Sequence, residues 1–72
     1  MKKETEINEQ AIKRYASKQL ALTMFELEFE NMKQSKCSIA STRVTNAAFR
    51  YGFINSHYLD YKGVETIMKL LA

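Results

Sequence analysis

Few side chains in this sequence are suited to acid–base or nucleophilic chemistry near neutral pH: one histidine, His57, and one cysteine, Cys37. His57 has no candidate catalytic partner near it in sequence and reads as a surface or interface residue. Cys37 lies beside Lys36 and reads as a bystander thiol. Alone it can form neither an internal disulfide nor a cysteine-based zinc site. No enzyme and no cofactor is expected. The remaining candidates are binding groups. Arg43 and Arg50 lie seven apart, two helical turns, so they share one face that can clamp phosphates or simply be solvated. Glu26, Glu28 and Glu30 form either a solvated face or an acidic patch for a basic partner.

These groups must be positioned by very little protein. A chain of 72 residues and 8.4 kDa has room for one domain and one thin core, without a second lobe to close over an active-site cleft. Hydrophobic residues are 46% and charged residues 26%, too apolar for a disordered tail. Apolar runs such as Leu70-Leu71-Ala72 are too short to cross a bilayer. The opening Met1-Lys2-Lys3, with Glu4, Glu6 and Glu9 close behind, lacks the apolar stretch of a secretory signal. A small cytoplasmic binding domain spanning residues 1–72 is the expectation.

There is no Pro, and the two Gly stand at 52 and 63. A sheet protein would spend several such residues on turns. Their scarcity, with abundant Ala, Leu, Met, Glu, Lys and Gln, predicts an all-α fold. Residues 6–34 are predicted helical, as one helix or two joined near Ser17 to Thr23, with a break favoured. Ile12, Ala16 and Leu20 follow one apolar line; Leu22, Phe25, Phe29 and Met32 follow another, offset from it. Phe25-Glu26-Leu27-Glu28-Phe29-Glu30 alternates as a half-buried strand would. The segment runs on through Asn31-Met32-Lys33-Gln34 without a turn signal, so helix is the reading.

Residues 35–41 read as a loop, with Ser41 or Thr42 as the next N-cap. A helix through Tyr51 is then expected to stop at Gly52 in a left-handed C-cap. Asn55 or Ser56 would cap a further short helix through Tyr61 or Lys62. Gly63 would punctuate again before an amphipathic Val64-to-Leu71 segment. Two short helices meeting at Ala48 and turning at Gly52 define a helix-turn-helix over about 42–62. In that register Ala47, Tyr51, Phe53, Tyr58 and Tyr61 point inward. The second helix offers Asn55, Ser56, His57, Leu59, Asp60 and Lys62 outward, with Arg50 and Tyr58 alongside, as the partner-binding set. Asn, Ser and His can read base edges and Lys can hold a phosphate, whereas Leu59 and Asp60 suit a protein surface better. Residues 33–72 carry six basic residues against two acids, a surplus of +4; residues 1–32 carry five against six, a balance of −1. That is compatible with DNA but short of a basic stripe.

The segment Ala47-Ala48-Phe49-Arg50-Tyr51-Gly52-Phe53-Ile54-Asn55-Ser56-His57-Tyr58-Leu59 resembles a helix-turn-helix of AraC-type regulators, which carry an Ala, a Gly-Phe pair and a Ser/aromatic pair at similar spacing. The whole chain, by length and general character, resembles the modulator-of-repressor proteins of temperate lactococcal phages. That resemblance implies antirepression. The small protein would bind the N-terminal DNA-binding domain of the phage repressor and move the switch toward lytic growth, with carboxylates and an apolar anchor covering a basic surface. Asp60, Leu59, Tyr58 and His57 are the expected contacts, with Glu26, Glu28 or Glu30 as the alternative acidic contribution. The rival reading is a DNA-binding regulator, Cro-like or excisionase-like. A toxin or host-enzyme inhibitor is a third class.

Overall fold

The computed structural model describes residues 5–72; the reading of Met1 to Glu4 lies outside them. Four helices follow in order: α1 (Glu9–Arg14), α2 (Lys18–Ser35), α3 (Thr42–Tyr51) and α4 (Tyr61–Leu71). The fold is all-α. Two isolated antiparallel bridges, Ile7 with Ile54 and Ile39 with Asp60, pin the connections to one another.

Local chemistry sets most helix ends. The Asn8 side-chain oxygen accepts the Ala11 N–H at 3.1 Å and starts α1; the Ser41 hydroxyl accepts the Val44 N–H at 3.3 Å and starts α3. Gly52 ends α3 at φ 85°. Its N–H returns to the Phe49 carbonyl at 3.1 Å and the Phe53 N–H to the Ala48 carbonyl at 2.9 Å, the two bonds of a Schellman motif. At the end of α2 Lys36 takes the same left-handed conformation, φ 56°, and the Cys37 N–H returns to Met32 at 3.0 Å.

The core gathers Ile12 from α1, Phe25 and Met32 from α2, Val44 and Ala48 from α3, and Val64, Ile67 and Leu71 from α4, with Phe53 and Leu59 reaching in from the α3–α4 connection. Helix α4 packs against both α2 and α1, and Phe29 stacks on Tyr61 at 4.6 Å to tie α2 to α4. Tyr15, Tyr51 and Phe53 form an aromatic cluster beside Phe25, with Phe53 at its centre.

The predicted break falls at residues 15–17, at the near edge of the expected interval. Tyr15 is extended there, so the Ile12–Ala16–Leu20 line does not continue through it: Ile12 is buried, while Ala16 and Leu20 are exposed. The second line holds, and residues 25–30 are helical.

The expected second helix of the helix-turn-helix is not formed. Residues 52–60 are an irregular connection, and of the predicted helix only Tyr61 and Lys62 are helical, as the first residues of α4. The cause is non-local pairing. Ala40 N–H donates to the Leu59 carbonyl and Tyr61 N–H to the Ser38 carbonyl, at 2.8 and 2.9 Å; Asn8 N–H donates to the Phe53 carbonyl at 2.8 Å. Backbone groups that a helix would have bonded internally are spent on neighbours distant in sequence. Three side chains change places accordingly. Leu59, expected outside, is 1% exposed, whereas Tyr58 and Tyr51, expected inside, are exposed. Gly63, expected as punctuation, lies within the first turn of α4.

Candidate protein-interaction surface

The eight predicted contact residues do not form one patch. Asn55 and Ser56 hold the N-terminal segment. The Asn55 side-chain oxygen accepts the Glu6 N–H at 3.0 Å, and its amide nitrogen donates to the Glu6 carboxylate at 3.4 Å. Ser56 shares a 2.9 Å hydroxyl contact with Thr5, whose hydroxyl also donates to the Tyr58 carbonyl. Leu59 is core. Asp60 is the N-cap of α4, its carboxylate accepting the Gly63 N–H at 2.8 Å. It stabilises the positive end of that helix rather than facing a partner. Lys62 is exposed on α4.

His57, Tyr58 and Arg50 remain available. The His57 ring stacks on Phe49 at 4.2 Å, and its Nδ1 lies 3.1 Å from the Asn46 side-chain oxygen, which fits the Nδ1–H tautomer donating. Both rings are exposed, next to an α3 face that carries Arg43, Asn46 and Arg50. Neither arginine forms an ion pair among the described residues.

A second surface is more unusual in composition. Leu20 is 75% exposed and Leu27 68%, the most exposed large apolar residues among the described ones. They lie seven apart on α2, and with Thr23 and Asn31 they fall within about 80° of arc. This arc faces away from the side that buries Ala21, Phe25 and Met32. Glu26 and Glu30 lie beside Leu27, both on the same side of it, and are exposed. Glu30 pairs with Lys33 at 3.9 Å across solvent, a weak contact. Glu28 is different: its carboxylate accepts the Ser41 N–H at 2.8 Å and lies 3.4 Å from the Ser41 hydroxyl, fastening α2 to the start of α3. The acidic run therefore divides into one structural carboxylate, Glu28, and two solvent-exposed ones, Glu26 and Glu30.

Leu27 was visible in the sequence within the alternating segment of residues 25–30, but its outward position was not. The signal was the alternation in residues 25–30. If such a segment is helical, Phe25 and Phe29 lie inward and the apolar residue between them must lie outward, between glutamates.

Among the described residues no group of three His, Cys, Asp or Glu side chains is placed to hold a metal ion, and no helix is long and apolar enough to cross a membrane. A shallow groove of about 330 Å³, open to solvent, lies between Met32, Lys33, Lys36, Cys37, Ser38 and Tyr61. Comparison with protein-family models, curated proteins and solved structures yields no match to this chain.

Proposed function

We propose that this chain is a small protein-interaction module that acts as an antirepressor. The outer face of α2 covers the basic DNA-contacting surface of a phage-type repressor's N-terminal domain and so relieves repression. One observation carries the reading: a solvent-exposed leucine, Leu27, lies beside two exposed carboxylates, Glu26 and Glu30, on the outer face of α2. A surface built to meet phosphates is basic, and an occluding partner needs negative charge around an apolar anchor. The resemblance to modulator-of-repressor proteins supplies the identity of the partner. Asp60 is committed to capping α4 and is not part of this contact.

Calorimetric titration with a repressor DNA-binding domain tests it. Leu27→Ala is expected to weaken binding by at least about tenfold, the loss of a modest hot-spot residue, and Glu26→Lys with Glu30→Lys to abolish it. Asp60→Ala is expected to lower stability and leave affinity unchanged. Unaltered affinity in the Leu27 and glutamate variants would remove α2 from the contact.

A second reading, direct DNA binding, is favoured by Arg43, Asn46 and Arg50 on the outer face of α3, the two arginines seven positions apart and neither in an ion pair among the described residues. It predicts duplex affinity that falls steeply with salt and is lost in Arg50→Ala. Affinity that ignores salt, or no duplex binding at all, eliminates it.

A further inference from the structure

We infer that the outer face of α3 binds single-stranded DNA, with a base stacked on the Phe49–His57 ring pair and phosphates held by Arg43 and Arg50. This rests on the DNA-binding reading above and names the form of DNA the site takes.

The ring pair supports this first. Phe49 is 40% exposed and lies outside the buried core, so its ring is not needed to fill the interior. The His57 ring, carried by the irregular connection after α3, covers it at 4.2 Å with 30° between the planes. The Asn46 side-chain oxygen lies 3.1 Å from His57 Nδ1 and orients that ring. Two rings from different elements thus form a preset stack at the surface, and His57 is itself exposed. Such a platform accepts an unpaired base of any type, and rings already held in place lose little freedom on binding. In a duplex each base face is covered by its neighbours, so stacking on the pair calls for an open strand.

Charge supplies the rest of the ligand. Residues 31–59 contain Lys33, Lys36, Arg43 and Arg50 and no Asp or Glu. Arg43, Asn46 and Arg50 fall within about 60° of arc on α3, with Phe49 bordering them beside Asn46; the arginines are about 10 Å apart along the axis. Neither arginine is in an ion pair among the described residues. Glu28, the carboxylate fastened at the N-terminal end of α3, is held by the Ser41 N–H. Guanidiniums beside an aromatic platform fit the phosphates that flank a stacked base. An acidic peptide would satisfy the arginines and leave the rings unused. Stacking and phosphate contacts make no use of a 2′-hydroxyl, so DNA suffices.

Fluorescence anisotropy of an end-labelled oligothymidylate of about twelve nucleotides, titrated with the full chain, tests the inference. A DNA duplex and an oligouridylate of the same length are the comparisons. The oligothymidylate is expected to bind more tightly than the duplex and at least as tightly as the oligouridylate. Its log affinity is expected to fall against log salt with a slope of about −1.4, the value for two phosphate contacts on a single strand. Phe49→Ala is expected to lower single-strand affinity by at least about fivefold, the loss of one stacked base, and to leave duplex affinity unchanged. Arg50→Ala is expected to lower both. Phe49→Trp guards against a folding defect, because it keeps the platform in a chain with no tryptophan of its own. Its indole emission is expected to be quenched by oligothymidylate and not by polyglutamate. Equal quenching by the two, or unchanged single-strand affinity in Phe49→Ala, would overturn the stacking. Tighter binding of the oligouridylate would overturn the assignment to DNA. Tighter binding of the duplex would overturn the inference and leave the DNA-binding reading standing, whereas absence of binding to every strand removes both.

Discussion

The Cδ1 atom of Leu59 occupies the space where a side chain on Gly63 would begin: a Cβ placed on Gly63 would lie 2.6 Å from it and 3.2 Å from the Asp60 carboxylate. Leu59 is 1% exposed and cannot swing into solvent. This one approach fixes how the α3–α4 connection enters the core and lets Asp60 reach its cap. Gly63 is therefore required by packing, although it lies inside a helix, where glycine costs about 1 kcal/mol relative to alanine.

Gly63→Ala is accordingly expected to destabilise the protein by about 1 kcal/mol, because overpacking a filled site costs about 1–3 kcal/mol and outweighs the gain in helix propensity. Thermal melts would register this as a drop of about 4–8 °C for a domain of this size. In a Leu59→Ala background the same substitution is expected to become neutral or stabilising. A penalty that persisted there would mean that Leu59 is not its source.

Two left-handed helix ends give opposite predictions. Gly52, at φ 85° with open space where a Cβ would be, is constrained by its backbone alone, and Gly52→Ala is expected to cost about 1–2 kcal/mol. Lys36 already bears that strain at φ 56°, so Lys36→Gly is expected to stabilise by up to about 1 kcal/mol after the added freedom of the unfolded chain. Chemical denaturation midpoints of the two variants should move in opposite directions.

Tyr15 should make the fold sensitive to alkali. Its phenol is held above the ordinary tyrosine value, chiefly because its surroundings withdraw it from water, then through a hydrogen bond and a repulsive charge interaction with Tyr51. A folded value above the unfolded one of about 10 means that this contribution is fully present below about pH 10 and is lost as pH rises through the folded value. Denaturation midpoints followed into that range are expected to fall less steeply for Tyr15→Phe than for the wild type. Parallel curves would show that Tyr15 carries no linkage.

Much of this fold could be read residue by residue. Ser41 as N-cap, Gly52 as left-handed C-cap, the loop over residues 35–41 and the helical identity of residues 25–30 each depend on atoms a few positions apart, so the chain carries them wherever it goes. The absence of proline and the helix-forming composition sufficed for an all-α architecture. The partner-binding residues were less legible. Asn55, Ser56, Leu59 and Asp60 have types that suit a recognition helix, and nothing local opposes one. Only the assembled protein brings Thr5 and Glu6 to Asn55 and Ser56, Ser38 and Ala40 to Leu59 and Tyr61, and the core to Leu59. Those long-range bonds hold residues 52–60 in an irregular path. The exposure of Leu20 and Leu27 was likewise decided in three dimensions: periodicity shows which residues share a face, but which face meets solvent depends on where α4 and the aromatic cluster come to rest.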